Sequence, residues 1–469
     1  MISIKKSIGK IYVIGIILSF TADMQAQEVL QIPLPSPEQL VWHEAELGVL
    51  VSYDLHVFDG KKYNQQQNRI TPIPDINIFN PEQLDTDQWI RTAKAAGAKF
   101  AVLTATHETG FALYQSDVNP YCMKALKYRE GKADIVEDFV NSCRKYDILP
   151  CIYVGIRWNS FLGVHDFRIE GESQFVKNRQ IAYKKMCEGM VEELCTRYGE
   201  LFMIWFDGGA DDPSEYGADV LPIVQKYQPK CLFYHNSQRA DFRWGGSETG
   251  TVPYPCWSTY PFPYSHSTNK DVVFADNFKL LKHGDNNGNY WMPAMSDAPL
   301  RGYNGRHEWF WEPGDEAHIQ PLEILLDMYY KSVGRNSTLI LGLTPNPAGL
   351  MPEADKKRLA ELGIETHRRF YKPINTTNGQ DTKLVLKIKK DTKINHIVLK
   401  EEISKGERVR LYIIEAFINS KWQEVARGEC IGQKRIQKIE VIETLKIRLR
   451  IPSSIGDPHI KEFSAYWIE

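Results

Sequence analysis

The placement of Asp207 predicts a reactive carboxylate. It follows the apolar run 201–206, and two glycines, Gly208 and Gly209, come directly after it. A carboxylate at the end of a buried strand can serve as a nucleophile, a general base or a metal ligand. The glycines would let a substrate approach the backbone closely. The competing interpretation is that Asp207 only caps the helix that follows.

A second carboxyl group, Glu248, lies in a glycine-rich segment further along the chain. Cleavage of a glycosidic bond needs two carboxyl groups, one ionised and one that still carries a proton. Two acids on successive loops of one barrel can meet that need. A solvated loop glutamate is the alternative that the spacing leaves open.

Other reaction classes have weaker support in the sequence. His107 and Glu108 are adjacent, but no second His follows at helical spacing, and the 12 His residues form no HExxH or HxH cluster. No GxSxG elbow follows a strand. A metal-dependent barrel hydrolase therefore stays a disfavoured alternative, and we expect no metal and no cofactor. The net charge of -2 gives no reason to expect nucleic acid or an anionic membrane as partner.

The elements that would position these residues alternate between apolar runs and amphipathic runs. Continuous apolar runs predict strands of a parallel sheet that is covered on both faces. Seven such runs are visible, at 48–53, 99–106, 148–155, 201–206, 231–234, 290–294 and 338–342. We expect an eighth strand between Ser247 and Ser258. The pattern predicts an α/β fold, a (β/α)₈-like TIM barrel over residues 27–370. An open doubly wound sheet is the alternative, and the lack of a glycine-rich nucleotide loop disfavours it.

The two ends of the chain have different patterns. Residues 371–469 contain short, partly alternating runs rich in β-branched residues, which predicts a β-sandwich accessory domain. Residues 1–26 combine early lysines, an apolar stretch and a small residue before Gln27, which predicts a signal peptide. An uncleaved N-terminal anchor is the alternative. The protein is thus expected to be periplasmic or secreted, with no other association with a membrane. The eight Cys form no CxxC pair, and we expect most of them to be free and buried.

Active sites of such barrels lie at the C-terminal ends of the strands. The polar and aromatic residues that follow the predicted strands are therefore candidates for contacting a substrate. They are Asp54, His56, His107, Glu108, Arg157, Trp158, Asn236, Trp244, Asp297 and Trp309. The tryptophans could stack on apolar sugar faces, although each could equally pack in the core or a loop.

Several stretches of the chain match a known family in order. They are 79–89, 93–99, Thr104–Phe111, Trp205–Gly208, Trp291–Ala294, Trp309–Trp311 and, most specifically, Leu326–Asn336 with Pro352–Asp355. Through them the chain resembles the α-L-fucosidases of glycoside hydrolase family 29. The resemblance runs from about residue 40 to 370.

The resemblance implies a retaining mechanism in which Asp207 is the nucleophile. The segment Arg243–Glu248 is similar to the acid/base loop of the branch that prefers α-1,3/1,4-linked fucose, which implies that Glu248 is the acid/base. It also implies that the C-terminal sandwich is discoidin-like, and that the partner is a terminal fucose or a related sugar on a glycan. The oligomeric state is left open.

Three positions depart from the family pattern. Ser52 stands where the family has a sugar-binding His, Glu108 replaces the second of two adjacent His residues, and Met295 stands where Glu is frequent. A polar site that pairs with a hydroxyl discriminates strongly against sugars that lack it. These departures bear on the identity of the sugar more than on the reaction class. Asp54, His56 and Glu108 could form a different hydroxyl-binding set. The alternative function is a catalytically weak or inactive carbohydrate-binding homologue.

Overall fold

The computed structural model of the protein describes residues 32–264 and 275–469, and these group into one compact unit. The expected signal peptide, residues 1–26, lies outside the described residues. Within the described ranges, no helix combines enough length and apolar character to cross a lipid bilayer.

The barrel is an eight-stranded parallel sheet whose strands are almost entirely buried, as the continuous apolar runs predict. β1 pairs with both β2 and β8, so the sheet curls round on itself and is not an open doubly wound sheet. The order around the barrel is β5-β4-β3-β2-β1-β8-β7-β6. The strands are β1 Leu47–Val51, β2 Phe100–Thr106, β3 Leu149–Val154, β4 Met203–Trp205, β5 Leu232–Tyr234, β6 Arg243–Trp244, β7 Ala294–Pro299 and β8 Ser337–Leu343.

The prediction of a strand between Ser247 and Ser258 is wrong, because the sixth barrel strand is the two-residue β6. Tyr290–Trp291 belongs to a small antiparallel pair with Thr259–Tyr260, so the seventh barrel strand begins only at Ala294. A two-residue strand leaves no apolar run in the sequence that periodicity could detect.

The barrel closes between β5 and β6 through Asp241 rather than through a strand ladder. The Phe233 amide donates to Asp241 Oδ2 at 2.7 Å, and the Asp241 amide donates to the Phe233 carbonyl at 3.0 Å. These bonds satisfy backbone groups at the opening, where an unpaired edge would be costly.

Helices alternate with the barrel strands, as the amphipathic runs between the apolar runs predict. Several begin at a capping acid: Asp85 accepts a hydrogen bond from the Gln88 amide and Asp134 from the Glu137 amide. The helices are α1 Pro37–Ala45, α2 Gln65–Ile70, α3 Thr86–Ala95, α4 Ile135–Lys145, α5 Gln174–Arg197, α6 Leu221–Tyr227, α7 Ala275–His283, α8 Leu322–Lys331 and α9 Glu353–Phe370.

The C-terminal part is a β-sandwich of two four-stranded antiparallel sheets that face each other over an apolar core. One sheet has the order β9-β16-β11-β14 and the other β10-β15-β12-β13. The strands are β9 Asn375–Gly379, β10 Lys383–Lys387, β11 Lys393–Glu401, β12 Val409–Ile418, β13 Lys421–Gly428, β14 Arg435–Glu443, β15 Lys446–Ser454 and β16 Ile460–Tyr466.

Polar contacts join the sandwich to the barrel. Lys434 donates to both carboxylate oxygens of Glu46, at 2.9 and 2.8 Å, and the buried Glu407 accepts from the Ser258 amide at 2.9 Å. All eight cysteines are free and buried, which confirms the expectation for most of them.

Candidate active site

Two adjoining cavities, of about 50 and 180 Å³, lie at the C-terminal ends of the barrel strands. They share Trp205, Asp207, Glu248 and Asp297 as lining residues. Catalytic residues of this fold come from the same end of the barrel. The three carboxyl groups that the sequence places after β4, β6 and within β7 therefore meet around one space.

A wider groove of about 1020 Å³ lies at the opposite end of the barrel, where Leu149, Pro150 and Phe202 border it. These residues stand at the start of β3 and just before β4. Groups at the N-terminal face of such a barrel contribute to stability rather than to catalysis. We therefore assign the candidate site to the smaller cavities.

Asp207 follows β4, and its side chain is accessible from the cavity. Tyr153 in β3 donates a hydrogen bond from its hydroxyl to Asp207 Oδ2 at 3.3 Å. Arg157 lies beside the next residue, Gly208. A side chain at Gly208 would meet Arg157 Nη1 at 2.5 Å, and its φ of +67° also favours glycine. The glycine therefore makes room for a guanidinium beside the carboxylate.

The groups around Asp207 have opposing effects on its pKa. The dense protein around its carboxyl and, next, the negative charge of Glu248 raise the pKa of Asp207, whereas Arg157 and the Tyr153 hydrogen bond act to lower it. A carboxyl held this way ionises more easily once Glu248 carries a proton, because the repulsion between the two groups then disappears.

Glu248 is held in place by the loop that follows β7. Its Oε2 accepts from Trp309 Nε1 at 3.2 Å and contacts His307 Nε2 at 2.5 Å. Burial alone would raise the pKa of Glu248, but the hydrogen bonds from His307 and Trp309 bring it below its usual value. The Glu248 side chain keeps 39% of its surface exposed, so it can reach a bound molecule.

Asp297 in β7 is a third carboxyl group in the same cavities. It is buried and accepts a hydrogen bond from Trp244 Nε1 at 3.0 Å. Burial and, next, the charges of Glu248 and Asp207 raise the pKa of Asp297 well above its usual value. These effects favour the protonated form of Asp297 over its charged form.

His107 forms part of the wall of the smaller cavity. Its ring lies 4.7 Å from that of Phe310 and 5.6 Å from that of Tyr153, measured between centroids. Burial and, next, the charge of Arg69 lower the pKa of His107 to about 3. The imidazole is thus neutral near pH 7 and can both donate and accept a hydrogen bond.

Five of the predicted substrate contacts line at least one cavity, and five do not. Those that line a cavity are His107, Arg157, Trp244, Asp297 and Trp309. Those that line neither are Asp54, His56, Glu108, Trp158 and Asn236.

Asp54, His56 and Glu108 lie behind the cavity wall. Asp54 accepts from the Leu55 amide at 2.7 Å and from the Thr109 hydroxyl at 2.6 Å. His56 Nδ1 lies 3.7 Å from Asp54 Oδ2. Glu108 accepts from Arg69 Nε at 2.7 Å. These groups support the wall rather than form its surface.

Trp158 and Asn236, the other two of the five, also contact other protein groups. Trp158 stacks beneath the guanidinium of Arg69, 4.3 Å from its ring centroid. Asn236 is buried, and its Oδ1 accepts from the amides of Gln238 and Arg239, both at 2.9 Å. Such a side-chain-to-backbone pattern stabilises a turn.

The segment around α2 contributes residues that sequence reasoning did not select. Tyr63 and Gln65 line the smaller cavity. Tyr63 donates to Glu108 Oε2 at 3.1 Å, so Glu108 joins Tyr63 and Arg69 from this segment to β2. Other lining residues not selected from the sequence are Leu50, Thr104, Tyr153, Trp205, Tyr234 and Phe310. Ser52 and Met295, two of the departures from the family pattern, also line the cavities.

In the ranges 32–264 and 275–469, no group of three or more His, Cys, Asp or Glu side chains has an arrangement that could hold a metal ion. The chemistry that the described residues offer is that of paired carboxyl groups. One of them, Asp207, lies beside a cation and a hydroxyl donor, and the other, Glu248, lines the same cavities and is held by His307 and Trp309.

Comparisons with known proteins agree with this architecture. The family model described as Alpha-L-fucosidase matches residues 38–367. A solved structure from Bacteroides thetaiotaomicron, provisionally described as an alpha-L-fucosidase, is 62% identical with a TM-score of 0.91, over 94% of this chain and 100% of that chain. A glycoside hydrolase 29 family member from an unknown rumen bacterium is 27% identical with a TM-score of 0.78, over 93% and 78% of the two chains. Alpha-L-fucosidase 1 of Arabidopsis thaliana is 26% identical over 93% of this chain and 88% of its own length.

The matched family segment covers the whole barrel, from α1 to the last turns of α9, and so includes both cavities. The chain therefore belongs to the alpha-L-fucosidase family, glycoside hydrolase family 29, and is a glycoside hydrolase.

Proposed function

We propose that the chain is an exported, retaining exo-glycosidase that releases a terminal α-L-fucose, or a closely related sugar, from glycans. Asp207 is the nucleophile and Glu248 the acid/base. The observation that carries the proposal is that these two carboxyl groups line the same cavities at the catalytic end of a family 29 barrel.

The reaction proceeds by double displacement. Asp207 attacks the anomeric carbon while the bond from that carbon to the leaving oxygen breaks and Glu248 gives its proton to the oxygen. Glu248 then takes a proton from a water molecule. The water oxygen bonds to the anomeric carbon, and Asp207 leaves as a carboxylate. Arg157 stabilises the charged form of Asp207 at the start and end of the cycle.

The cavity size supports release of a single terminal residue. The smaller, inner cavity of about 50 Å³ and its neighbour of about 180 Å³ leave room for little more than one sugar ring beside Asp207. Trp309 and Trp244 supply aromatic surface near the two carboxyl groups, where an apolar sugar face can stack. We propose a preference for α-1,3/1,4-linked fucose from the likeness of the Glu248 loop to that branch of the family.

A second candidate function follows from Ser52 and Met295. Both line the cavities, and neither supplies the His or Glu that the family pattern places there. Fewer hydrogen bonds to sugar hydroxyls would weaken recognition of fucose. The outcome is either a related sugar as substrate or a carbohydrate-binding homologue with little turnover.

Hydrolysis of a panel of aryl glycosides, with aryl α-L-fucoside included, distinguishes these functions. We expect the wild type to cleave at least one member, Asp207→Asn to lose about 10³-fold or more in kcat/KM, and Glu248→Gln to lose about 10²- to 10⁴-fold. Asp211→Asn, on the same loop but outside both cavities, is the matched control and should keep its activity.

The stereochemical outcome tests the retaining mechanism. Proton NMR of the first-formed sugar should show the same anomer as the substrate, whereas the opposite anomer would overturn the assignment of Asp207 as nucleophile. Binding of sugars without cleavage of any glycoside would favour the carbohydrate-binding alternative. N-terminal sequencing of the protein recovered from the periplasm or medium tests export, with a start near Gln27 expected.

A further inference from the structure

The two carboxylate oxygens of Glu248 differ in the hydrogen bonds that they accept from the described residues. Both hydrogen bonds to its carboxylate, from His307 and Trp309, reach Oε2. Among the described residues, none bonds to Oε1. Both donors come from one short stretch of the loop after β7, so this loop fixes the plane of the carboxyl group and leaves Oε1 for a bound molecule.

His307 is the outer member of the pair. Its side chain is 52% exposed, compared with 39% for Glu248, so a proton can pass from solvent to His307 while a substrate covers Glu248. Trp309 cannot take that part, because an indole N–H only donates and does not titrate.

The charged and titratable groups around this pair are few. Glu308 lies next to His307 on the same loop, and its charge helps to raise the pKa of His307. The charge of Glu248 raises the pKa of Asp207 after β4 and of Asp297 in β7. The negative charge of Glu308 therefore favours a single proton on the His307 and Glu248 pair over none.

We propose that His307 and Glu248 form a dyad that shares one proton, in which His307 is a positioning and proton-holding residue for the acid/base. This inference rests on the proposed function, because it gives Glu248 the role of acid/base.

The dyad has an ionic and a neutral form, and both carry the same number of protons. Without substrate the ionic form is present, in which the imidazolium of His307 faces the carboxylate of Glu248. When a sugar fills the cavity and displaces water, the separated charges lose solvation, and the neutral form, with a protonated Glu248 and a neutral His307, becomes favourable. That proton leaves with the glycosidic oxygen in the first step, and the proton of the attacking water restores it in the second. No outside acid is consumed.

The charges agree with this arrangement. The hydrogen bond and the charge of Glu248 raise the pKa of His307, although burial acts in the opposite direction. The dyad thus retains its last proton to a higher pH than an isolated Glu248 would retain its own.

The pH dependence of His307→Gln tests the dyad. Glutamine can still donate to Glu248 Oε2 but cannot titrate, so the position of Glu248 is preserved while the proton store is lost. We expect the alkaline limb of kcat/KM to move at least about one pH unit lower, which means about a tenfold loss at alkaline pH and little loss near pH 5. His318→Gln, which replaces another histidine of the same loop that bonds the Tyr303 carbonyl, should leave the profile unchanged.

The leaving group separates this role from a merely structural one. The leaving group of a 2,4-dinitrophenyl glycoside departs as a phenolate without protonation. The kcat/KM for this substrate should therefore be nearly the same in His307→Gln and the wild type. A loss of equal size on both the activated and the unactivated substrate, or an alkaline limb that does not move, would overturn the proposal.

A titration that needs no turnover keeps the dyad distinct from the proposed function. NMR of ¹³C-labelled histidine should show a lower pKa for His307 in Glu248→Gln than in the wild type. If no glycoside is cleaved but this shift is seen, the proposed function fails and the proton-sharing pair stands. If the pKa of His307 does not change, the dyad fails whatever the enzyme cleaves.

Discussion

The hydroxyl of Tyr153 donates a hydrogen bond to Oδ2 of Asp207 across 3.3 Å. Tyr153 lies in β3 and Asp207 follows β4, so the bond joins two neighbouring strands at the smaller cavity, which both residues line. It favours the charged form of Asp207 against the burial and the Glu248 charge that disfavour it. The bond also orients one carboxylate oxygen, which leaves Oδ1 for attack on the anomeric carbon.

Tyr153→Phe should therefore weaken catalysis without changing the fold. A hydrogen bond to a charged group contributes about 1.5–3 kcal/mol, so we expect kcat/KM to fall roughly 10- to 100-fold. Without this bond the pKa of Asp207 rises, and the acidic limb of the kcat/KM profile should move to higher pH. Steady-state kinetics across the pH range measure both effects.

Tyr121→Phe is the control for that substitution. The hydroxyl of Tyr121 is buried and has no hydrogen-bond partner among the described residues, so its removal deletes no bond. We expect no shift of the pH profile. An unchanged acidic limb in Tyr153→Phe would show that the bond does not tune Asp207.

Tyr153 also shows where prediction from the sequence ends. The runs that became β3 and β4 are apolar throughout, so the strand-end position of Asp207 could be predicted, but which residues within a strand face the barrel interior could not. For that reason the sequence predicts that Tyr153 and Trp205 lie in the core. Asp297 could be predicted because it follows the apolar run 290–294, although the structure places it within β7.

The loop residues were harder to predict. Tyr63 and Gln65 lie more than ten residues after β1, on a segment whose path depends on the bond from Arg69 to Glu108. Glu108 had been considered as a group that contacts sugar, because nothing in the sequence links it to Arg69. Contacts between distant segments are set by tertiary packing, which one sequence does not reveal.

The Arg69 and Glu108 pair should hold the α2 segment against the cavity. Arg69→Met leaves a buried carboxylate without its cation, so we expect the free energy of unfolding to fall by about 1–3 kcal/mol. Since Tyr63 and Gln65 line the cavity from this segment, KM should rise more than kcat falls. Thermal or urea unfolding and steady-state kinetics give the two values.

The double variant Arg69→Met with Glu108→Gln distinguishes charge pairing from packing. Removal of both partners leaves no unpaired charge, so part of the lost stability should return. Additive losses in the two single variants and the double variant would show that the two side chains do not interact.

Asp54 should make the stability of the protein depend on pH. Burial raises the pKa of Asp54 to about 7, from an ordinary value of 3.8. A carboxyl whose pKa is higher in the folded state stabilises the fold while protonated, and that stabilisation is lost as pH rises from about 4 to 7. Asp54→Asn cannot ionise, so its unfolding free energy should decline less between pH 5 and 8, by about 2–3 kcal/mol.

Thr109→Val should act in the opposite direction. The Thr109 hydroxyl donates to the Asp54 carboxyl and lowers its pKa, so its removal should raise that pKa further and steepen the decline. Chemical unfolding at several pH values measures both slopes. Equal slopes in the wild type and Asp54→Asn would contradict the prediction.

Asp297 should tolerate an amide where Asp207 does not. Its pKa is raised well above the ordinary value, by burial first and then by the charges of Glu248 and Asp207, so the neutral form of the carboxyl is favoured. Asp297→Asn keeps a neutral group that can accept from Trp244, and we expect a loss in kcat/KM of less than about tenfold, or 1.4 kcal/mol.

Asp297→Ala tests whether a polar group is needed at this position. It removes the acceptor that lies 3.0 Å from Trp244 Nε1 and one polar group of the cavities, so we expect the larger loss, with stability lower by about 1–3 kcal/mol. A loss in Asp297→Asn as large as that in Asp207→Asn would mean that Asp297 works as a carboxylate. The cavity would then hold a third ionised acid, and Asp297 would not be a neutral hydrogen-bonding group beside the nucleophile.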